Sequence, residues 1–303
     1  MKIVRADQIG WHKDHPTGEV EFKYLLTGDP LAPDNFMFIL GRQIADFSMP
    51  RHRHNFEQIR LPLCGDMNIG DGMVLGEGQV GYFPEGLPYG PQQDPLGAAP
   101  PGERVQLVLQ FGGASGCGFM SMDQRKKAWS ELSKIGKFVG PHYHHPDGRV
   151  EWGLNVIWEH VFKSKLKYPK PRYEDVVIIE PNRFHWLPMP GSPGVQHRFM
   201  GSFSERAMWI EAVRLDRGAT WSSAHPDGRR LLYVLRGSGR VDGTDIAAET
   251  AIQIEPGEVA TMTASAPLEL FLVGLPPIEL PVEPSTAYEI EEAPRQAELA
   301  PSN

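Results

Sequence analysis

The sequence predicts an all-β dominated fold, with two β-barrels in one chain joined by a short helical connection. Three observations predict it. Short apolar or alternating runs, broken every few residues by Gly, Pro, Asn or Asp, fill residues 20–113 and resume from 176 to 276. A two-residue side-chain period over such short stretches is the mark of a half-buried strand. The 32 Gly and 28 Pro are spread rather than repeated, as a chain of many turns between short strands requires. Between Met120 and Phe162 the apolar spacing lengthens to that of helices.

In chain order, FMFILGRQI, FEQIRLPL, MNIGDGMVL, QVGYFP and RVQLVLQFGG are the strand candidates of the first half. The stretch MDQRKKAWSELSKIGKF then places Trp129, Leu132 and Ile135 at helical spacing, with Gly136 as the stop. A second helix is expected over 150–162, with Val150, Leu154, Ile157, Trp158 and Val161 on one face that packs onto the barrels. Strand signals return in VVIIEP, RAMWIEAVRL, RLLYVLRGSGRV, TAIQIEPGEV and LELFLVGLP. The organisation read from this is a first strand-rich unit over 1–118, a helical linker over 119–182, a second strand-rich unit over 183–276 and a Pro/Glu-rich tail over 277–303.

Hydrophobic residues make up 41% of the chain and charged ones 22%, the balance of a globular protein. A net charge of −8 argues against general nucleic-acid binding, which needs a clustered basic surface. The basic run Lys163–Lys170 reads as a solvated surface. With only Cys64 and Cys117 there is no disulfide framework and no zinc ribbon. Cys64, at the end of an apolar strand, reads as a small buried side chain. No secretory leader and no apolar stretch of about 20 residues is found, so a cytoplasmic protein without membrane contact is expected.

The chemistry concentrates in Met49–Gly65, MPRHRHNFEQIRLPLCG. In an extended chain alternate side chains share a face, so His52 and His54 aim their imidazoles at one point, and Gln58 can join them after a short bend. Downstream, GEGQVGYFPEGLPYGP supplies the turn-rich pattern of Gly81, Pro84, Gly86, Pro88 and Tyr89. These two segments resemble the paired consensus motifs of the cupin β-barrel. In the second half, LLYVLRGSGRV followed by IEPGEV has the same plan, so the chain resembles a bicupin with two jelly-roll barrels. FHWLPMPGSPGVQHRFMG resembles the lead-in of cupins of the anti-sigma ChrR type.

The resemblance implies a divalent metal ion held by His52, His54 and Gln58, with Fe(II) favoured and Zn, Mn or Ni also compatible. Gln58 stands where cupins usually carry Glu, and Tyr89 where they carry a third His. Alternation from Gln58 puts Arg60 on the same inner face, where its guanidinium can clamp a carboxylate or enolate or can pair with Glu57 or Glu85. Arg60 and Tyr89 are therefore the residues expected to bind the substrate and act on it. A ligand set without negative charge leaves the ion a strong Lewis acid and favours a small anionic substrate. The expected activity is a dioxygenase-type oxidation. The alternatives are a metal-assisted isomerase, lyase or hydrolase, and a metal-free small-molecule-binding barrel. In the second barrel SSAHPDGRR leaves His225 alone, beside Arg229 and Arg230, which implies a structural role. His142, His144 and His145 read as loop histidines. Bicupins commonly pair through barrel edges, so a homodimer is expected.

Overall fold

Which face of each strand is buried follows from its alternation, and two sheets use that rule to pack back to back. The structure, a computed structural model, describes residues 1–14, 18–32, 34–95, 104–278 and 288–293. Its first half contains β1 (Lys2–Arg5), β2 (Val20–Thr27), β3 (Phe36–Gln43), β4 (Phe47–Met49), β5 (Glu57–Cys64), β6 (Met67–Gly70), β7 (Met73–Leu75), β8 (Val80–Phe83), β9 (Gln92–Asp94) and β10 (Val105–Phe111). The connection holds α1 (Met122–Leu132), β11 (Lys137–Val139), β12 (His142–His144), β13 (Val150–Trp152), α2 (Gly153–Phe162), β14 (Lys167–Pro169) and β15 (Val177–Ile179). The second half runs through β16 (Leu187–Pro188), β17 (Val195–Ser202), β18 (Trp209–Leu215), β19 (Thr220–Ala224), β20 (Arg229–Arg236), β21 (Ser238–Val241), β22 (Thr244–Ala247), β23 (Thr250–Ile254), β24 (Val259–Ala264) and β25 (Leu268–Leu275), with β26 (Ile290–Glu292) beyond it.

The first large sheet has the order β15-β8-β5-β10-β3-β2, and the second β1-β23-β20-β25-β18-β17-β16. In the first, Ile59 lies opposite Leu109 and Leu61 opposite Leu107. Their face joins Phe36, Phe38 and Leu40 in a core completed by Ile210, Tyr233 and Phe271 of the second sheet. Phe38 and Tyr233 meet edge to face with ring centroids 6.4 Å apart, and each such buried side chain contributes about 1.5–3 kcal/mol. The opposite face of the first sheet carries Met37, Ile39 and Val108, which line a cavity described below. The sequence-predicted jelly-roll architecture, with its helical connection, is the one observed.

The second half is filled rather than hollow. Between its large sheet and the sheet β19-β24-β21-β22, Val234, Ile252, Met262 and Leu270 are fully buried. Arg230, only 2% exposed, ties its guanidinium to the carbonyls of Glu255 and Glu258 and to Ser223 Oγ. Arg229 bridges Asp34 and Glu255. His225 accepts the backbone N–H of Gly228 on Nδ1 and lies against Trp209.

Several local expectations differ from what is observed. The helix α1, started by a Ser121–Gln124 capping box, stops at Leu132 rather than reaching Gly136, because the amides of Ile135 and Gly136 both turn back onto the Leu132 carbonyl. It buries Ala128 and Leu132, while Trp129 and Ile135 are exposed. The second helix starts at Gly153 because Val150–Trp152 pairs with β12. Cys64 is exposed, a correction to the buried side chain expected, since it ends β5 beyond a register shift and pairs there only with Val105, the first residue of β10. Most of the expected tail lies outside the described residues, but Ile290–Glu292 pairs with Lys167–Pro169. Among the described residues no helix is long and apolar enough to cross a membrane.

Candidate functional site

His52 and Tyr89 form a two-residue antiparallel bridge, each donating its backbone N–H to the other's carbonyl at 3.0 and 2.9 Å. The Gly86 N–H adds a 2.7 Å bond to the His54 carbonyl, so the two motifs are laced together. Only glycine serves there: Gly86 has φ +80°, and a Cβ would stand 1.8 Å from the Pro169 carbonyl oxygen.

Four side chains converge on one atom, the Tyr89 hydroxyl oxygen. His52 Nε2 lies 3.1 Å from it, His54 Nε2 3.0 Å, Gln58 Nε2 3.1 Å and an Arg60 guanidinium nitrogen 2.8 Å. Alternation explains the convergence: residues 52, 54, 58 and 60 point to one side, and Glu57 and Ile59 to the other. His52 Nδ1 lies 2.8 Å from the Pro50 carbonyl, which can only accept, so Nδ1 carries the proton and the Nε2 lone pair faces the convergence point. His54 stacks on Phe56 with centroids 4.6 Å apart.

Burial, aided by the Arg60 charge, holds both histidines below their ordinary pKa, His54 well below, so both are neutral at neutral pH. Burial also raises the Tyr89 phenol, against the pull of Arg60 and Gln58. Gln58 turns its amide nitrogen, not its oxygen, toward Tyr89; the oxygen accepts from Arg60 at 3.3 Å and from Gln110 at 3.0 Å. Arg60 pairs with neither Glu57 nor Glu85, both of which face Arg172 on the far side of the sheet. Its guanidinium lies over the Phe83 ring at 4.5 Å, and its Nε is buried without a partner.

The donor set can be tested for a divalent ion on its spacing. Two donors at right angles on an ion with bonds of about 2.1 Å stand about 3.0 Å apart, which is the separation of each imidazole Nε2 from the Tyr89 oxygen. These two separations are compatible with such an ion between each imidazole and the Tyr89 oxygen, and Gln58 could join them only if its amide turned over. Among the described residues no group of three His, Cys, Asp or Glu is arranged to hold a metal ion, so any negative charge beside the two imidazoles would come from the phenol. His142, His144 and His145 share a hairpin, but His142 stacks on Trp152 while His145 faces Glu151.

His52, His54, Gln58 and Arg60 form the polar end of a cavity of about 360 Å³. Its walls are mostly apolar, with Phe22, Ile39, Phe56 and Val108 from the sheet side and Met122, Leu154 and Trp158 from the helical connection. The ionisable lining residues are Arg53, Arg60, Arg125, His52 and His54, besides the phenol of Tyr168; among the described residues no Asp, Glu or Lys lines it. Arg125, on α1, had no signal in the sequence beyond that of an ordinary helix-surface arginine.

No family model and no curated protein sequence matches the chain. Solved structures do. A putative dioxygenase from Nostoc punctiforme PCC 73102 is 10% identical with a TM-score of 0.60, over 97% of this chain and 87% of that one. Quercetin 2,3-dioxygenase from Acinetobacter baumannii is 13% identical with a TM-score of 0.53, over 95% and 92%. Oxalate decarboxylase from Bacillus subtilis, which has Mn(II) centres, is 14% identical with a TM-score of 0.55, over 93% and 78%. At such identities the likeness is one of fold, the cupin jelly roll, along nearly the whole chain.

Proposed function

We propose that the chain is a metal-dependent cupin enzyme that converts a small anionic organic molecule in this cavity, by a dioxygenase-type oxidation. The observation that carries the reading is an apolar cavity whose charged lining is all cationic and which ends on two neutral, convergent imidazoles. His52 and His54 would hold the ion, Fe(II) foremost, with the Tyr89 oxygen as a third donor and Gln58 available on reorientation. When bound, the ion supplies Lewis acidity and open positions for substrate and dioxygen.

The protein's own residues set the rest. Arg60 offers a fixed positive charge and a planar fork of donors for a carboxylate or enolate oxygen. It also steadies the Tyr89 oxygen through its 2.8 Å bond. The apolar walls exclude water, which strengthens each of these electrostatic contacts. Oxygen consumption by iron-loaded protein against small carboxylates, diketones and phenols tests the reading. A substrate-dependent rate that disappears in His52→Ala and His54→Ala is expected; uptake unchanged in both variants would overturn it.

A second reading is favoured by the position of Arg60, whose guanidinium already supplies a cation beside the convergence point. In that reading the barrel binds its anion without metal, as a sensor or carrier. Anion affinity unchanged by a chelator, together with no turnover, distinguishes it.

A further inference from the structure

Of the three arginines that line the cavity, two have no carboxylate within ion-pair distance among the described residues. Arg53 pairs with Glu291 at 3.2 Å and lies over the Tyr168 ring. Among the described residues Arg60 hydrogen-bonds to the neutral Tyr89 and Gln58, with Asp94 as a more distant charge. Arg125 has no carboxylate within ion-pair distance among the described residues. It sits on the helical wall, one turn after Met122, which also lines the cavity. Arg60 sits on the sheet wall, in β5.

A guanidinium at the wall of an apolar cavity gains from an opposite charge brought against it, and Arg125 is half-buried there. No acid among the described residues lines the cavity, so an anionic ligand is what can supply that charge. One anionic group can meet Arg60 at the polar end, and a second can meet Arg125 on the helical wall.

We propose that Arg125 is a specificity-determining residue that seats a second anionic group, so that the substrate is a compact dianion with an apolar body between two carboxylate-type ends. This rests on the reading of the cavity as an anion site, and it adds the number of charges and the residue that reads the second. It also gives the helical connection a role, since α1 would carry a substrate contact as well as a wall.

Calorimetric titration of the full-length protein with benzoate and with the three benzenedicarboxylate isomers tests it, because these share one body and differ in charge. The best dianion is expected to bind wild type about 10-fold or more tighter than benzoate, the gain of a charge-assisted contact. In Arg125→Gln that advantage should disappear while benzoate affinity stays within about 2-fold, and Arg125→Lys should restore part of it. Equal binding of benzoate and every dianion by wild type, or an advantage that survives in Arg125→Gln, would overturn the assignment of Arg125 and leave the anion site standing. If wild type binds none of the four, the anion-site reading fails and takes this one with it. An unchanged melting temperature of Arg125→Gln separates a lost contact from a lost fold.

Discussion

At the scale of single residues, neighbours in β5 serve opposite sides of one sheet. Gln58 faces the cavity, whereas Glu57 is buried between the two halves with Glu85, Arg172 and Ser204. Burial and the Glu85 charge push Glu57 up to about 7, against Arg172 and Arg206. An acid raised on folding contributes stability below its unfolded value of 4.5 that is lost as the pH rises through about 7. His52 and His54 act the other way: lowered on folding, they cost stability as the pH falls below 6.5. Between about 4.5 and 6.5 the two slopes oppose each other. In Glu57→Gln one of the slopes opposing the histidines is removed, so urea denaturation of chelator-treated protein should show stability rising from pH 5 to 6.5 more steeply than in wild type. An unchanged pH dependence would contradict the placement of Glu57. The shared face of His52 and His54 was legible because alternation is local. The orientation of the Gln58 amide was not, because Gln110, 52 positions away, sets it together with Arg60.

At the scale of elements, the turn between β8 and β9 decides whether the second motif reaches the first. The Gly86 amide holds the His54 carbonyl, and its α-carbon packs against the Pro169 carbonyl of β14. Gly86→Ala should therefore cost more than about 2 kcal/mol, from the left-handed backbone and the clash together, measurable by chemical denaturation. A loss below about 0.5 kcal/mol would show that β14 yields freely. The strands β5 and β10 were legible from alternation and β-branched or aromatic content. The pairing of β1 with β23, some 250 residues away, was not, since nothing in KIVR marks its partner. The buried face of α1 was legible only at Leu132: Trp129 and Ile135 advertise an apolar face but are exposed, and Ala128 is buried instead.

At the scale of the molecule, the two halves share one core, and β1 adds an amino-terminal strand to the carboxy-terminal sheet. They should unfold as one unit. Phe38→Ala, which empties a site of no exposure opposite Tyr233, is expected to lower stability by about 3–5 kcal/mol and to keep a single transition in calorimetry; two separate transitions in wild type would contradict the shared core. The division of labour was partly legible: the first half has a cavity with convergent imidazoles, while the second is packed solid around Arg230. The acid-free lining could not be read from the sequence, because its residues come from strands and helices spread from Val20 to Tyr168. The most direct test of the central claim is the metal content of full-length protein purified without a histidine tag. About one divalent ion per chain, falling by roughly 10-fold or more in both His52→Ala and His54→Ala, is the expected result. Negligible metal in wild type after iron loading, or a full complement retained in both variants, would contradict it.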